Sequence, residues 1–185
     1  MITSKSIRGE IVDIRKATEI DLDAITQIYD RIHKAEKEGR ACVGWQEGVY
    51  PVRETAEKAL ARGDIFLGEE KGTIVGSVIL NKIQDPCYVK GKWKFESEDD
   101  KIMVMHTLAI DPESSGRGYG KTFEAYYEKY AMENGCSVLR IDTQVKNVAA
   151  RSMYRKLGFT ESDTVTCVFN GIQDVMLVLL EKKLV

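Results

Sequence analysis

Seven consecutive residues, Ser115-Gly116-Arg117-Gly118-Tyr119-Gly120-Lys121, combine types that could hold a charged ligand. Glycines at every second position let the backbone adopt torsions other residues resist, and let a ligand approach closely. An apolar run, Ile102 to Ile110, precedes the stretch and a helical pattern follows it. Successive amides at a helix start aim their N–H groups at one spot and favour an anion there. Arg117 and Lys121 add positive charge beside it. The chemistry predicted is phosphate binding, with the molecule left unnamed.

One reading is a nucleotide. Gly120-Lys121-Thr122 matches the end of the P-loop pattern GxxxxGK[ST], and Val138-Leu139-Arg140-Ile141-Asp142 resembles the acidic strand that accompanies such loops. The first glycine of the pattern falls on Ser115, which spoils the tight turn around a β-phosphate. The loop also lies beyond the midpoint of the chain and downstream of a hairpin, whereas P-loops open parallel sheets. A P-loop-like nucleotide-binding protein is therefore the weaker reading.

The elements around the loop follow from periodicity. Ile11 to Arg15 alternates as a strand does. Leu22, Ile25, Ile28 and Ile32 form one apolar face of a helix starting near Asp21. A second helix spans Pro51 to Arg62 and stops at Gly63. Ile65–Glu69 and Thr73–Leu80 flank Glu70-Lys71-Gly72 as a hairpin. Asn81 to Asp100 reads as a long connection, and Ile102–Ile110 as a strand. A helix from about Gly118 places Tyr119, Phe123, Tyr126 or Tyr127, and Tyr130 on one face, and Gly135 ends it. Ser137–Thr143 is a strand, and Asn147–Leu157 a helix closed by Gly158. Strands near Thr164–Phe169 and Asp174–Leu180 complete an α/β fold. Hairpins at both ends of the order predict a mixed, mostly antiparallel central sheet flanked by helices.

Composition narrows the partners. The 185 residues suit one domain, 1–185, and 43% hydrophobic content can fill its core. A formal net charge of -2 offers no large phosphate-neutralising surface, so nucleic acid is not expected. Lys90, Lys92 and Lys94 read as a solvated loop. No apolar run is long enough for a membrane span. Met1 to Glu10 lacks the apolar centre of a signal peptide, so a cytoplasmic location is expected. Cys42, Cys87, Cys136 and Cys167 are widely spaced, and two histidines complete no zinc pattern, so no metal is expected.

The loop also fits a second phosphate carrier, coenzyme A. Ser115-Gly116-Arg117-Gly118-Tyr119-Gly120 resembles the signature [Gln/Arg]-x-x-Gly-x-[Gly/Ala] of the GNAT superfamily of N-acetyltransferases, departing only at Ser115. Asn147-x-x-Ala150-x-x-x-Tyr154 followed by Leu157-Gly158-Phe159 resembles the family's second motif. Ile14-Arg15-Lys16-Ala17 and Asp21 to Ile25 resemble its opening strand and helix.

The resemblance implies an enzyme that moves an acetyl group from acetyl-CoA to a primary amine by direct attack in a ternary complex. It implies a GNAT fold whose strands splay at the cofactor site. Leu108, Ala109 and Ile110 would pair with pantetheine through their backbone, with the Leu108 amide polarising the thioester carbonyl. Ser115, Gly116, Arg117, Gly118, Tyr119, Gly120 and Lys121 would hold the pyrophosphate. Asn147 would bond to pantetheine or cap its helix. Tyr154 would protonate the leaving thiolate. His106, on the strand before the loop, suits proton removal from the amine. Glu47, Glu69, Glu70, Glu96 and water are alternatives. The acceptor, a small-molecule or peptide amine, would lie against Gly39–Tyr50 and Asn81–Phe95. Trp45, Tyr50, Tyr88 and Trp93 are expected mainly to pack. A non-catalytic acyl-CoA-binding sensor and a homodimer both stay open.

Overall fold

A computed structural model describes residues 12–184. Strand β1 is Asp13–Lys16; the expected start at Ile11 lies outside the described residues. Helix α1 runs Leu22–Lys37 and α2 runs Arg53–Arg62, where Gly63 turns the chain out with φ of 74°. The hairpin of β2, Ile65–Glu70, and β3, Thr73–Asn81, turns at Lys71-Gly72. Strand β4 is Ile102–Ile110 and α3 is Tyr119–Glu133. Strand β5 is Val138–Gln144 and α4 is Val148–Lys156. The terminal strands β6, Thr160–Phe169, and β7, Ile172–Lys183, are longer than the sequence pattern predicts. Residues 160–163 and 181–183 carry charges that hide a strand from hydropathy, yet long-range pairing with β7 and β5 holds them.

The seven strands of the described residues form one sheet in the order β1-β2-β3-β4-β5-β7-β6. Among these described strands only β4 and β5 are parallel neighbours; the other pairs are antiparallel. That is the mostly antiparallel α/β sheet expected, and not the parallel sheet of a P-loop protein.

Each face of the sheet is covered. Phe123, Tyr127 and Ala131 of α3 and Tyr154 of α4 pack on Phe66, Val78, Met103, Met105, Leu139 and Ile141. The repeat buried on α3 is therefore Tyr119, Phe123, Tyr127 and Ala131, while Tyr126 and Tyr130 stack on each other beside Phe66. On the opposite face, α1 and α2 cover Ile65, Leu67, Ile79 and Ala109. The connection between β3 and β4 covers the rest of that face. Its 3-10 turn Pro86–Lys90 sends Cys87 and Tyr88 onto Ile102, Val104, Leu177 and Leu179. Burying aromatics of this size contributes about 2–3 kcal/mol each, so a stretch that reads as a polar loop is part of the core.

Candidate functional site

The site begins where two strands part. Strand β4 pairs with β5 from Ile102↔Val138 to Met105↔Ile141, and the ladder ends there. Both strands continue, β4 to Ile110 and β5 to Gln144, so a gap opens between them. On its other side β4 stays paired with β3, but the register slips between Ser77 and Ile79. The slip is a β-bulge on β4 with Thr107 at φ of 47°, a left-handed conformation rare for a β-branched residue. The bulge flips the side-chain alternation. Ile102 and Val104 face the Tyr88 side, whereas beyond the bulge it is Ala109 that joins the α1 core and Leu108 that packs against the α3 core. Periodicity alone would have put Leu108 on the face of Val104.

Strand β4 runs straight into the glycine loop. Arg31 of α1 grips Asp111 with two hydrogen bonds, 2.9 and 2.8 Å. The same carboxylate accepts from Glu113 N–H and starts a short 3-10 turn, Pro112–Ser114. Gly116 and Gly118 both sit at positive φ, 81° and 84°, and a Cβ on either would meet open space. The start of α3 carries no side-chain cap and no acidic residue in its first turn. These are the features an anion needs: free approach and outward amides at a helix start. Gly120 has a different task, because a Cβ there would meet Met153 Sδ at 2.6 Å; it lets α3 approach α4. Glu70, at the end of β2, accepts from Tyr119 Oη at 2.8 Å and lies 3.4 Å from Arg117 Nη1.

Tyr154 stands at the root of the gap. Its hydroxyl lies 3.8 Å from the sulfur of Met105, the last β4 residue on the β5 ladder. Phe159 holds its ring edge-on at 5.7 Å. Burial pushes the phenol well above its ordinary range, with Asp142 and Glu124 adding to the rise. Asn147 caps α4 by accepting from Ala150 N–H at 3.2 Å.

His106 faces the α2 side. It lines a cavity of about 410 Å³ together with Tyr50, Thr55, Arg62, Asn81 and Thr107. Its Nε2–H is shared between the Ile83 carbonyl at 3.0 Å and Asn81 Oδ1 at 3.1 Å. Nδ1 is then the ring nitrogen with a lone pair in the neutral form. Burial lowers its proton affinity, against the Ile83 hydrogen bond. Tyr50 hydrogen-bonds to the Thr107 hydroxyl at the bulge. Tyr29, Trp45, Tyr50 and Phe169 make a chain of edge-on ring contacts, so Trp45 and Tyr50 do pack, as expected.

Of the alternative acids, Glu47 is exposed and paired with Lys37, and Glu69 pairs with Arg15 on the far edge of the sheet. Glu96 is exposed. The sequence reading overlooked a better-placed carboxyl. Asp142 is the first β5 residue past the ladder, and Tyr88 Oη donates to its Oδ2 at 2.7 Å. Burial pushes the Asp142 carboxyl up to about 7, with Asp85 adding to the rise and Tyr88 opposing it. One signal was available: a lone acid at the end of Val-Leu-Arg-Ile, where buried strands seldom carry one. Tyr88 stands out in the sequence as an aromatic in a polar connection, beside Trp93 and Phe95, but its pairing with Asp142 is made only by the fold.

Comparison with known proteins bears on the family and the fold. The family model described as the acetyltransferase (GNAT) family matches residues 22–159. An uncharacterised N-acetyltransferase of Methanocaldococcus jannaschii is 26% identical over 158 residues, 82% of this chain; the chain spans 62% of that relative's length. A GNAT-family acetyltransferase structure from Streptococcus agalactiae superposes with a TM-score of 0.74 at 23% identity, covering 93% of this chain and 95% of its own. An acetyltransferase structure from Salmonella typhimurium with acetyl-CoA bound superposes with a TM-score of 0.67 at 19% identity, covering 94% of each chain. A family model spanning the parted strands, the glycine loop and the Tyr154 helix leaves one conclusion: the chain belongs to the GNAT family of acetyltransferases.

Proposed function

We propose that the protein transfers the acetyl group of acetyl-CoA to a primary amine, the two substrates being bound together. The observation that carries this reading is the gap between β4 and β5. It has the Tyr154 hydroxyl at its root and the uncapped glycine loop at the end of β4. In this reading pantetheine lies in the gap and hydrogen-bonds along Leu108, Ala109 and Ile110 as an added strand. The bulge at Thr107 turns the backbone there, and the Leu108 amide polarises the thioester carbonyl. Residues Ser115 to Lys121 take the pyrophosphate on their backbone amides, with Arg117 and Lys121 adding charge. Asn147 holds the first turn of α4, which carries Tyr154.

Tyr154 donates its proton to the departing sulfur. A phenol kept protonated by burial suits an acid facing a thiolate. His106 reaches the acceptor side of the same strand and could relay a proton through Nδ1.

Thermal shift with acetyl-CoA against ATP and Mg²⁺ tests the cofactor, and stabilisation by ATP alone would sink the reading. Thiol release from acetyl-CoA with alkylamines, polyamines, amino acids, aminoglycosides and peptide N-termini tests the transfer. Binding without release for any amine would instead make the protein an acyl-CoA sensor.

A further inference from the structure

Asp142 carries chemistry that its own neighbours leave incomplete. Its Oδ2 accepts from Tyr88, and among the described residues Oδ1 accepts nothing. Among the described residues no lysine or arginine bears on it; the groups that do are Tyr88 and Asp85. A half-buried carboxylate with an oxygen to spare and no cation beside it among the described residues lacks a positively charged partner. Its position says which partner. Val138 of β5 faces the Tyr88 side and Leu139 and Ile141 the α3 side, so alternation puts Asp142 on the face of Tyr88 and His106. Tyr154 approaches the gap from the other face, close enough for the Asp142 charge to raise its phenol. An acid for the sulfur and a carboxylate for the nitrogen thus flank one gap from opposite sides.

We propose that Asp142 binds the protonated primary ammonium of the acceptor and takes its proton, and that Tyr88 is the positioning residue that aims the carboxylate. This rests on the acetyl-transfer reading above and names its acceptor class: an amine that is a cation in solution. One N–H proton passes to the Asp142 carboxylate, and the freed lone pair forms the C–N bond at the thioester carbon. The carbonyl electrons move to oxygen and return as the C–S bond breaks. The sulfur takes the Tyr154 proton, and the phenolate recovers one from the new amide nitrogen. Asp142 releases its proton to water, so the products are the amide, the free thiol and one proton.

The groups around the carboxylate set its working range. Tyr88 and Asp85 face it from the β3–β4 connection, and Tyr50, Tyr154 and Cys167 respond to its charge from the α1–α2 connection, α4 and β6. A base whose midpoint lies near neutrality is efficient near neutrality.

The test uses the full-length protein, acetyl-CoA and two acceptors: the panel amine giving fastest thiol release, and hydroxylamine, which is unprotonated at neutral pH. Asp142→Asn keeps an acceptor for the Tyr88 hydroxyl and should keep its acetyl-CoA affinity. Its kcat/KM for the charged amine should fall by about 10²–10⁴-fold, with hydroxylamine much less affected. Tyr88→Phe removes the hydrogen bond that favours the ionised carboxylate, so the rising limb of its kcat/KM profile should move to higher pH. Equal losses with both acceptors would make Asp142 structural, and undiminished turnover with the charged amine would overturn the proposal. Should Asp142→Asn not fold, the wild-type profile decides: no rising limb near pH 7 with the charged amine overturns the idea. Absence of any wild-type transfer would instead defeat the acetyl-transfer reading on which this rests.

Discussion

Among the described residues the buried Tyr154 hydroxyl has only a thioether sulfur beside it. A buried hydroxyl normally finds a strong acceptor, and leaving one without costs about 1–3 kcal/mol. Structure gains little from this oxygen, which fits a group kept for chemistry. Tyr154→Phe should therefore melt within a few degrees of wild type and bind acetyl-CoA about equally. Its kcat should drop by about 10²-fold or more. Calorimetry for binding and thiol release for turnover check both halves; wild-type kcat would remove Tyr154 from the reaction. Resemblance to the family's Asn147–Tyr154 motif singles out Tyr154 from the sequence, because that motif lies within one helix. Asp142 and Tyr88 lie 54 residues apart and meet only across the fold, so no local pattern could join them.

Among the elements, β4 does the most to shape the site, and its neighbours constrain it tightly. At Gly76 of β3, an added Cβ would stand 2.7 Å from the Ala109 carbonyl oxygen, a backbone atom that cannot yield by rotation. Gly76→Ala should push the outer end of β4 and cost about 1–3 kcal/mol. It should also weaken acetyl-CoA binding, because Ala109 and Ile110 are the displaced residues. Gly118→Ala makes a useful contrast. Its Cβ meets open space, so the protein loses only the left-handed backbone preference, about 1–2 kcal/mol. An acetyl-CoA affinity loss in Gly118→Ala beyond that of a surface alanine change would locate the anion at this loop; unchanged affinity would count against it. Arg31 ties α1 to the strand exit through Asp111, so Arg31→Ala should lower stability by about 1–3 kcal/mol and loosen the loop. Melting curves with and without acetyl-CoA read all three.

For the molecule as a whole, the carboxyls predict a pH optimum of stability. Arg15 holds Asp21 down to about 2, aided by Thr18 and against its burial. Its contribution is present above the unfolded value of about 3.9 and is lost as pH falls toward 2. Asp142 acts in the opposite sense. With its folded value raised to about 7, its contribution is whole below about 4 and is lost as pH rises through 7. The ligand-free protein should therefore lose stability between about pH 4 and pH 7 through this group. Asp142→Asn should flatten that slope and melt higher than wild type near pH 8. A wild-type slope that survives the substitution would place the titration elsewhere. Such a destabilised acid is the familiar cost of a site poised for binding.

The sequence by itself determined the element order, the strand–glycine loop–helix unit and the Tyr154 helix. Periodicity, caps and turn glycines are local signals, and a few residues suffice to read them. It could not show where β4 leaves β5, because that depends on which strands pair and where their ladder stops. It missed the bulge, since Thr107 is a residue nobody would choose for positive φ, and it takes that conformation only under the constraint of β3. It read the β3–β4 connection as polar with embedded aromatics, and tertiary packing decides that Cys87 and Tyr88 are the ones buried fully there. The tertiary structure alone decided that Asp142 would be a half-buried carboxyl held by Tyr88. Desolvation and opposing charge are properties of an enclosed space, and strands far apart in the chain build that space.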